Sequence, residues 1–310
     1  MKSTESSPSR EAATMKIAFI GLGQMGRPMA LNLRKSGAEL LVHSADTRPY
    51  AELERAGARP VAQAADTVDA DIVFLCLPHG EAVREVLFGA NGLSTRLRPG
   101  QVVVDTSTIT YATTIEVAEK LEALGVRFVD APVSGMEARA IDGTLTVMCG
   151  GGRSTFEQVE PLLRHIGSQI LYMGASGSGQ LTKLINQLLF DINCAALAEI
   201  LPMAAKMGLD PDQVGAVINS GTGRSYASEF FLPRILKGTF SAGYPMKHAY
   251  KDLVSAAELG ARLCIPMPVL AAATATYQTA LLKGHGERDK GAMLLPFEEL
   301  LGVQFRSRTA

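Results

Sequence analysis

No CxxC pair, HxH or HExxH occurs in this chain: its four cysteines, Cys76, Cys149, Cys194 and Cys264, lie far apart, and its five histidines form no ligand pattern. A zinc site needs clustered ligands and a disulfide framework needs spaced pairs, so neither is written here and no metal is expected. This cysteine usage suits a reducing, cytoplasmic compartment. Charge of one sign is also lacking. Lysines and arginines number 30 against 31 acids, a formal net charge of -1, so nucleic acid is not expected as a partner and any anion site has to be local. Long apolar runs are absent as well: Asp191 and Glu199 interrupt the helix after Lys183, whereas a bilayer span needs about 18 clean residues, so no membrane association is expected. Residues 1–14, MKSTESSPSREAAT, have no apolar core of the signal-peptide kind and read as a disordered leader before Met15.

What is present is enough apolar sequence, 47% of 310 residues, to bury the core of one large domain or two ordinary ones. From Lys16 onward the runs KIAFIG, ELLVH, DIVFLCL, QVVVD, VRFVD, LTVMC and QILYM are of strand length, and helix-like sequence separates them. The runs are nearly continuous in Val, Ile, Leu and Phe, as befits strands covered on both faces. They predict a Rossmann-type doubly wound sheet, mostly parallel, over 15–177. Residues 179–300 offer no convincing strand. Asp210 with Pro211 reads as a helix start, and Gly208, Gly221, Gly238 and Gly260 fall where helices would stop. An all-α domain for substrate binding and oligomerisation is therefore expected over 178–310, joined by a long helix from about Gln180 to Lys206, with the chemistry in a cleft between the halves.

The first βα turn carries Gly21, Gly23 and Gly26 in G-x-G-x-x-G spacing, with Leu22, Gln24 and Met25 between them. Gly21 allows the tight turn, Gly23 lets the backbone approach a pyrophosphate, Gly26 lets helix and strand pack closely, and the helix N-terminus faces the anion. A bare glycine pattern also serves packing alone, and its place between a strand and a helix is what favours a nicotinamide dinucleotide. Leu77, ending the run DIVFLCL, and Pro78 after it join the expected cofactor set. NAD or NADP remains open. No acid closes the second strand; Asp46 stands slightly late for the ribose hydroxyls, Ser44 and Arg48 could hold a 2′-phosphate, and all three also read as ordinary loop residues.

Three further motifs follow strands or open the long helix: D105-T-S-T-I109, D130-A-P-V-S-G135 and G177-S-G-Q-L-T-K183-L-I-N186. Lys183 and Asn186, three apart on a helix, project from one face, and Gly179 one turn earlier is expected to leave room for a ligand. A lone lysine on such a helix is usually a solvated charge; the accompanying motifs set this one apart.

Together with G21-L-G-Q-M-G26, these stretches resemble the β-hydroxyacid dehydrogenase family, which includes 3-hydroxyisobutyrate dehydrogenase and tartronate semialdehyde reductase. The resemblance covers nearly everything after residue 14, including K251-D252-L253. It implies an NAD(P)-dependent enzyme acting on a small 3-hydroxy acid or its semialdehyde. Lys183 would be the general acid/base, Asn186 would orient substrate or lysine, and Ser134 with Gly135 would bind the substrate carboxylate. Lys251 would approach the cofactor, and Thr108 would lie near the nicotinamide ribose. Alcohol oxidation needs a base for the hydroxyl proton, and a buried lysine whose pKa is lowered suits that role in both directions.

The chain departs from the family pattern at Met136, where a second glycine often follows Ser-Gly; a bulky side chain there adjoins the carboxylate site. Gln187 follows Asn186 where Asn-Asn is common, and the usual residues ending the second strand are missing. The rival readings are a decarboxylating enzyme like 6-phosphogluconate dehydrogenase, whose helical part is much longer, an imine reductase, whose sequences generally replace the helix lysine, and a non-catalytic nucleotide sensor. Family resemblance implies a homodimer or homotetramer, although VLAAATATYQTALL and AMLLPFEELLG could equally pack internally.

Overall fold

The computed structural model describes residues 15–241 and 244–308, so the leader read over 1–14 lies outside the described residues. Two compact units are present, one ending at Lys183 and the next beginning at Leu184.

In the first unit β1 (Lys16–Ile20), β2 (Glu39–His43), β3 (Arg59–Pro60), β4 (Ile72–Leu75), β5 (Val102–Asp105) and β6 (Arg127–Asp130) form a parallel sheet in the order β3-β2-β1-β4-β5-β6. The sheet continues through β7 (Val133–Ser134), β8 (Leu145–Gly151) and β9 (Gly167–Gly174). β8 runs antiparallel to both β6 and β7, and β9 runs parallel to β8. The doubly wound sheet expected from the apolar runs is therefore there, with an antiparallel turn-back past β6. The two-residue strands β3 and β7 have no apolar run to announce them.

Alternate residues of each strand serve opposite faces. Ile17, Phe19, Ile72, Phe74, Val102 and Val104 join one core, against Met29 and Leu33 of α1 (Gly26–Arg34). Ala18, Ile20, Val73, Leu75 and Val103 join the other. That second face is covered, beyond α2 (Tyr50–Arg55) in the chain, by α3 (Gly80–Phe88) and α4 (Tyr111–Glu122), which supply Val83, Leu87, Val117 and Leu121. Covering both faces is what makes the strand sequences continuously apolar. α5 (Met136–Asp142) and α6 (Arg153–Leu163) complete the unit and precede α7 (Ser178–Lys206), the long helix expected from the sequence.

Beyond Lys183 the chain is helical: the rest of α7, then α8 (Pro211–Ser220), α9 (Tyr226–Leu236), α10 (Met246–Leu263), α11 (Pro268–Leu282) and α12 (Leu295–Leu301), with no strand among the described residues. Asp210 caps α8 as expected, its side chain accepting the Gln213 N–H at 3.0 Å. Gly260 does not stop a helix. It is buried inside α10, where a Cβ would lie 2.4 Å from Met267 Cε, and the left-handed position ending that helix belongs to Cys264, at φ 54°.

The apolar stretch of α7 also differs from expectation, since by length and composition it could cross a membrane despite Asp191 and Glu199. The first of these acids is not exposed: Asp191 is fully buried, paired with the buried Lys290 ammonium and accepting the Tyr277 hydroxyl at 3.0 Å.

Candidate active site

Each glycine of the first βα turn has a separate geometric reason. Gly21 sits at φ 99°, and a Cβ there would lie 2.2 Å from the Cys76 carbonyl oxygen. At Gly26 a Cβ would lie 1.9 Å from the Gly21 carbonyl oxygen and 3.1 Å from the Phe19 ring, so helix and strand touch there. Gly23 is exposed, with nothing within 4 Å of its Cβ position. α1 begins at this turn with no side-chain cap and no acid in its first turn. Backbone donors at an uncapped helix start, beside a glycine that leaves space, fit a pyrophosphate.

Around this turn Ser44 is held by Tyr50, whose hydroxyl accepts the Ser44 N–H at 3.0 Å, while the Ser44 hydroxyl accepts the Leu22 N–H at 3.4 Å. Arg48 and Asp46 form an exposed ion pair with Nη2 and Oδ2 2.7 Å apart, and the guanidinium holds the Asp46 carboxyl below the usual range. On the other side, half-buried Leu77 lies 3.1 Å from the Gly21 Cβ position and donates its N–H to Ser107 Oγ at 2.8 Å; Pro78 beside it is exposed.

Ser134 ends β7, and the chain then makes a left-handed excursion, Gly135 at φ 140° and Met136 at φ 62°. Glycine accepts such angles freely; a methionine there is strained by roughly 1–2 kcal/mol. The helix that follows is seated on α1, because Asn32 Nδ2 donates to the carbonyls of Ala140 at 2.8 Å and Ile141 at 3.2 Å. Gln24 Nε2 donates to Glu137 Oε2 at 2.7 Å, tying the glycine-rich turn directly to the turn after Ser134.

Lys183 is buried, at 7% exposure, while Asn186 one turn further along α7 is exposed. Thr108 is half-buried after β5, and Lys251 is half-buried on α10 of the second unit. Gly179 does not leave room for a ligand. A Cβ there would lie 2.3 Å from the Met148 carbonyl and 2.8 Å from Asp130 Oδ2, so that space is filled by the protein itself.

The sequence shows Asp130, Asp105 and Gln180 as members of motifs without assigning them a role. The Asp130 carboxylate is fully buried and accepts the N–H groups of Gly177 at 2.7 Å and Gln180 at 2.9 Å. Asp105, its register partner on β5, is also fully buried; Oδ1 accepts the Ser107 N–H at 2.9 Å and Oδ2 has no hydrogen-bond partner. Burial pushes both carboxyls up, Asp105 to about 7, with the neighbouring Asp130 charge adding to the shift. The available signal was an acid closing each of two apolar runs, QVVVD and VRFVD. Among the described residues no group of three His, Cys, Asp or Glu is placed to hold a metal ion.

Residues 16–174 match the family model described as the NAD binding domain of 6-phosphogluconate dehydrogenase. Residues 177–297 match the one described as NAD-binding of NADP-dependent 3-hydroxyisobutyrate dehydrogenase. The chain is 37% identical to 2-hydroxy-3-oxopropionate reductase of Escherichia coli, over 92% of this chain and 97% of that protein. It is 36% identical to 2-(hydroxymethyl)glutarate dehydrogenase of Eubacterium barkeri, over 94% and 97%. Among solved structures, 3-hydroxyisobutyrate dehydrogenase from Salmonella typhimurium superposes with a TM-score of 0.82 at 28% identity, covering 91% of this chain and 99% of that one.

Proposed function

The chain belongs to the β-hydroxyacid dehydrogenase family, and from that premise we propose that it is an NAD- or NADP-dependent oxidoreductase interconverting a small 3-hydroxy acid and its semialdehyde. The observation that carries this reading is a buried lysine, Lys183, in the same unit as an open, uncapped glycine-rich turn. A lysine held in the protein interior on the helix that opens with the G-S-G-Q-L-T-K motif suits a positioned proton donor and acceptor, and a helix start left without its own cap suits a bound anion.

In this reading Gly21, Leu22, Gly23, Gln24, Met25 and Gly26 hold the pyrophosphate. Ser44 stands at the ribose end, Leu77 and Pro78 border the turn, and Thr108 and Lys251 approach the nicotinamide half. The nicotinamide, when bound, supplies or accepts the hydride. Ser134, with the backbone around Gly135, anchors the substrate carboxylate and so fixes which carbon is presented, and Met136 limits what lies beside it. Lys183 gives a proton to the aldehyde oxygen as it becomes an alcohol, and takes it back in the reverse direction, with Asn186 orienting the pair. The first domain, 15–177, binds the dinucleotide and the helical one, 178–310, serves substrate binding and association into a homodimer or homotetramer. A cytoplasmic location belongs to the same reading.

The test is loss of absorbance at about 340 nm when NADH or NADPH is mixed with tartronate, succinate or methylmalonate semialdehyde, since that band reports the reduced ring. Turnover with one aldehyde and one cofactor is expected; tight cofactor binding with no turnover on any carboxylated aldehyde would favour a sensor. Light scattering after size exclusion checks the assembly, where a species of 32.9 kDa alone would refute it.

A further inference from the structure

We propose that Asp130 and Gln180 are positioning residues for the Lys183 amine, locking the first turn of α7 onto the ends of β5 and β6. The inference rests on the catalytic reading of Lys183.

The lock has two parts. Asp130 reaches the backbone: one carboxylate takes the N–H groups of Gly177 and Gln180, which lead into and open the helix, and it fits only because two facing residues have no side chain. A Cβ at Gly150 would lie 2.5 Å from Asp130 Oδ1, and one at Gly179 would lie 2.8 Å from Oδ2. Gln180 holds the turn through its side chain. Its Nε2 donates to the Ser107 carbonyl at 2.6 Å and its Oε1 accepts the Ile109 N–H at 3.3 Å, with the residue only 3% exposed. Backbone and side chain of one residue are thus tied to two different strands' ends. Lys183 follows on the same helix three residues later, close to the same face and less than one turn away.

The network continues to the glycine-rich turn. Ser107 Oγ accepts the Leu77 N–H, and the Leu77 side chain packs beside Gly21, so helix start and dinucleotide turn are linked through two hydrogen bonds at Ser107 and one apolar contact. Buried polar groups are tolerated where every member is matched, and a matched network specifies position more sharply than apolar packing does. Position is what a proton-transferring group requires: a misplacement of about 1 Å costs on the order of 100-fold in rate.

The test compares Gln180→Met, Asp130→Asn and Lys183→Ala in the full chain. Gln180→Met keeps the Asp130 carboxylate under the helix and removes only the side-chain tie; if Asp130→Asn fails to fold, Gln180→Met carries the test. Both positioning variants are expected to lower kcat about 10- to 100-fold, with KM for the aldehyde and Kd for NADPH within about 3-fold of wild type. In the cofactor-free protein, acylation of Lys183 by an amine-reactive reagent, followed by mass spectrometry, is expected to be several-fold faster in Gln180→Met. A folded Gln180→Met with wild-type kcat and a wild-type acylation rate overturns the inference while Lys183→Ala remains inactive. Wild-type turnover in Lys183→Ala instead removes the premise, and the inference falls with it.

Discussion

Two turns in this protein look alike in sequence, each leading from a strand through closely spaced glycines into a helix. One is Gly21 to Gly26 before α1, the other Gly174 to Gly179 before α7. At the first, Gly23 faces open space and the helix start carries no acid. At the second, Gly179 is pressed against the Met148 carbonyl and the Asp130 carboxylate, which already takes the donors a ligand would need. The same physics, exposed N–H groups at a helix start attracting negative charge, is left for a ligand in one place and satisfied within the fold in the other. A glycine pattern locates a close approach; only the neighbours decide what approaches.

The two helix starts respond differently to pH. The Asp130 carboxyl under α7 has Asp105 as its register partner on β5, and Asp105 is pushed up to about 7 in the folded chain because it is buried. Unfolded, it releases its proton near the ordinary aspartate value, so the wild type is least penalised below that value and loses stability as pH rises toward 7. Asp105→Asn removes that dependence. Its stability relative to wild type should grow by about 1.4 kcal/mol per pH unit over this window, reaching roughly 4 kcal/mol, read by urea melts at pH 4 and pH 8. A pH-independent difference would contradict it.

Alanine scanning of the two turns sharpens the contrast. Gly179→Ala drives a methyl into a carbonyl and should cost about 1–3 kcal/mol, seen as a lowered Tm. Gly23→Ala meets no protein atom, so stability should stay within about 0.5 kcal/mol while affinity for the reduced cofactor the enzyme uses, NADH or NADPH, falls about tenfold or more, read by cofactor fluorescence. An unchanged affinity in Gly23→Ala would remove the pyrophosphate from that turn. The smallest effect concerns the third left-handed turn: Met136→Gly should stabilise the chain by about 0.5–1 kcal/mol through relief at φ 62°, with a changed preference among aldehydes.

Much of this was legible in the sequence, and the limits have physical causes. Strands such as ELLVH, found whole as β2, announce themselves because burial on both faces demands continuous apolar residues. The two-residue β7 that presents Ser134 bears no such pattern, since its place is set by pairing with β8 across the intervening α5. Gly21, Gly23 and Gly26 were readable because their spacing between a strand and a helix is itself a signal, even though the close neighbour of Gly21 is the distant Cys76 carbonyl. Gly179 was misread and Asp130 left without a role for one shared reason: their partnership joins residues about fifty apart, which no local period reveals. Gly260 failed as a helix stop because α10 runs on to Leu263 and the left-handed position that ends it falls on Cys264.

The most direct test of the account is steady-state reduction of the preferred semialdehyde by wild type and Lys183→Ala, with NAD(P)H binding to each measured by cofactor fluorescence. The account predicts a fall in kcat of about 10²- to 10⁴-fold with cofactor affinity within about 3-fold, the signature of a lost acid/base. Wild-type kcat in Lys183→Ala would contradict it, leaving a dinucleotide-binding fold whose chemistry lies elsewhere.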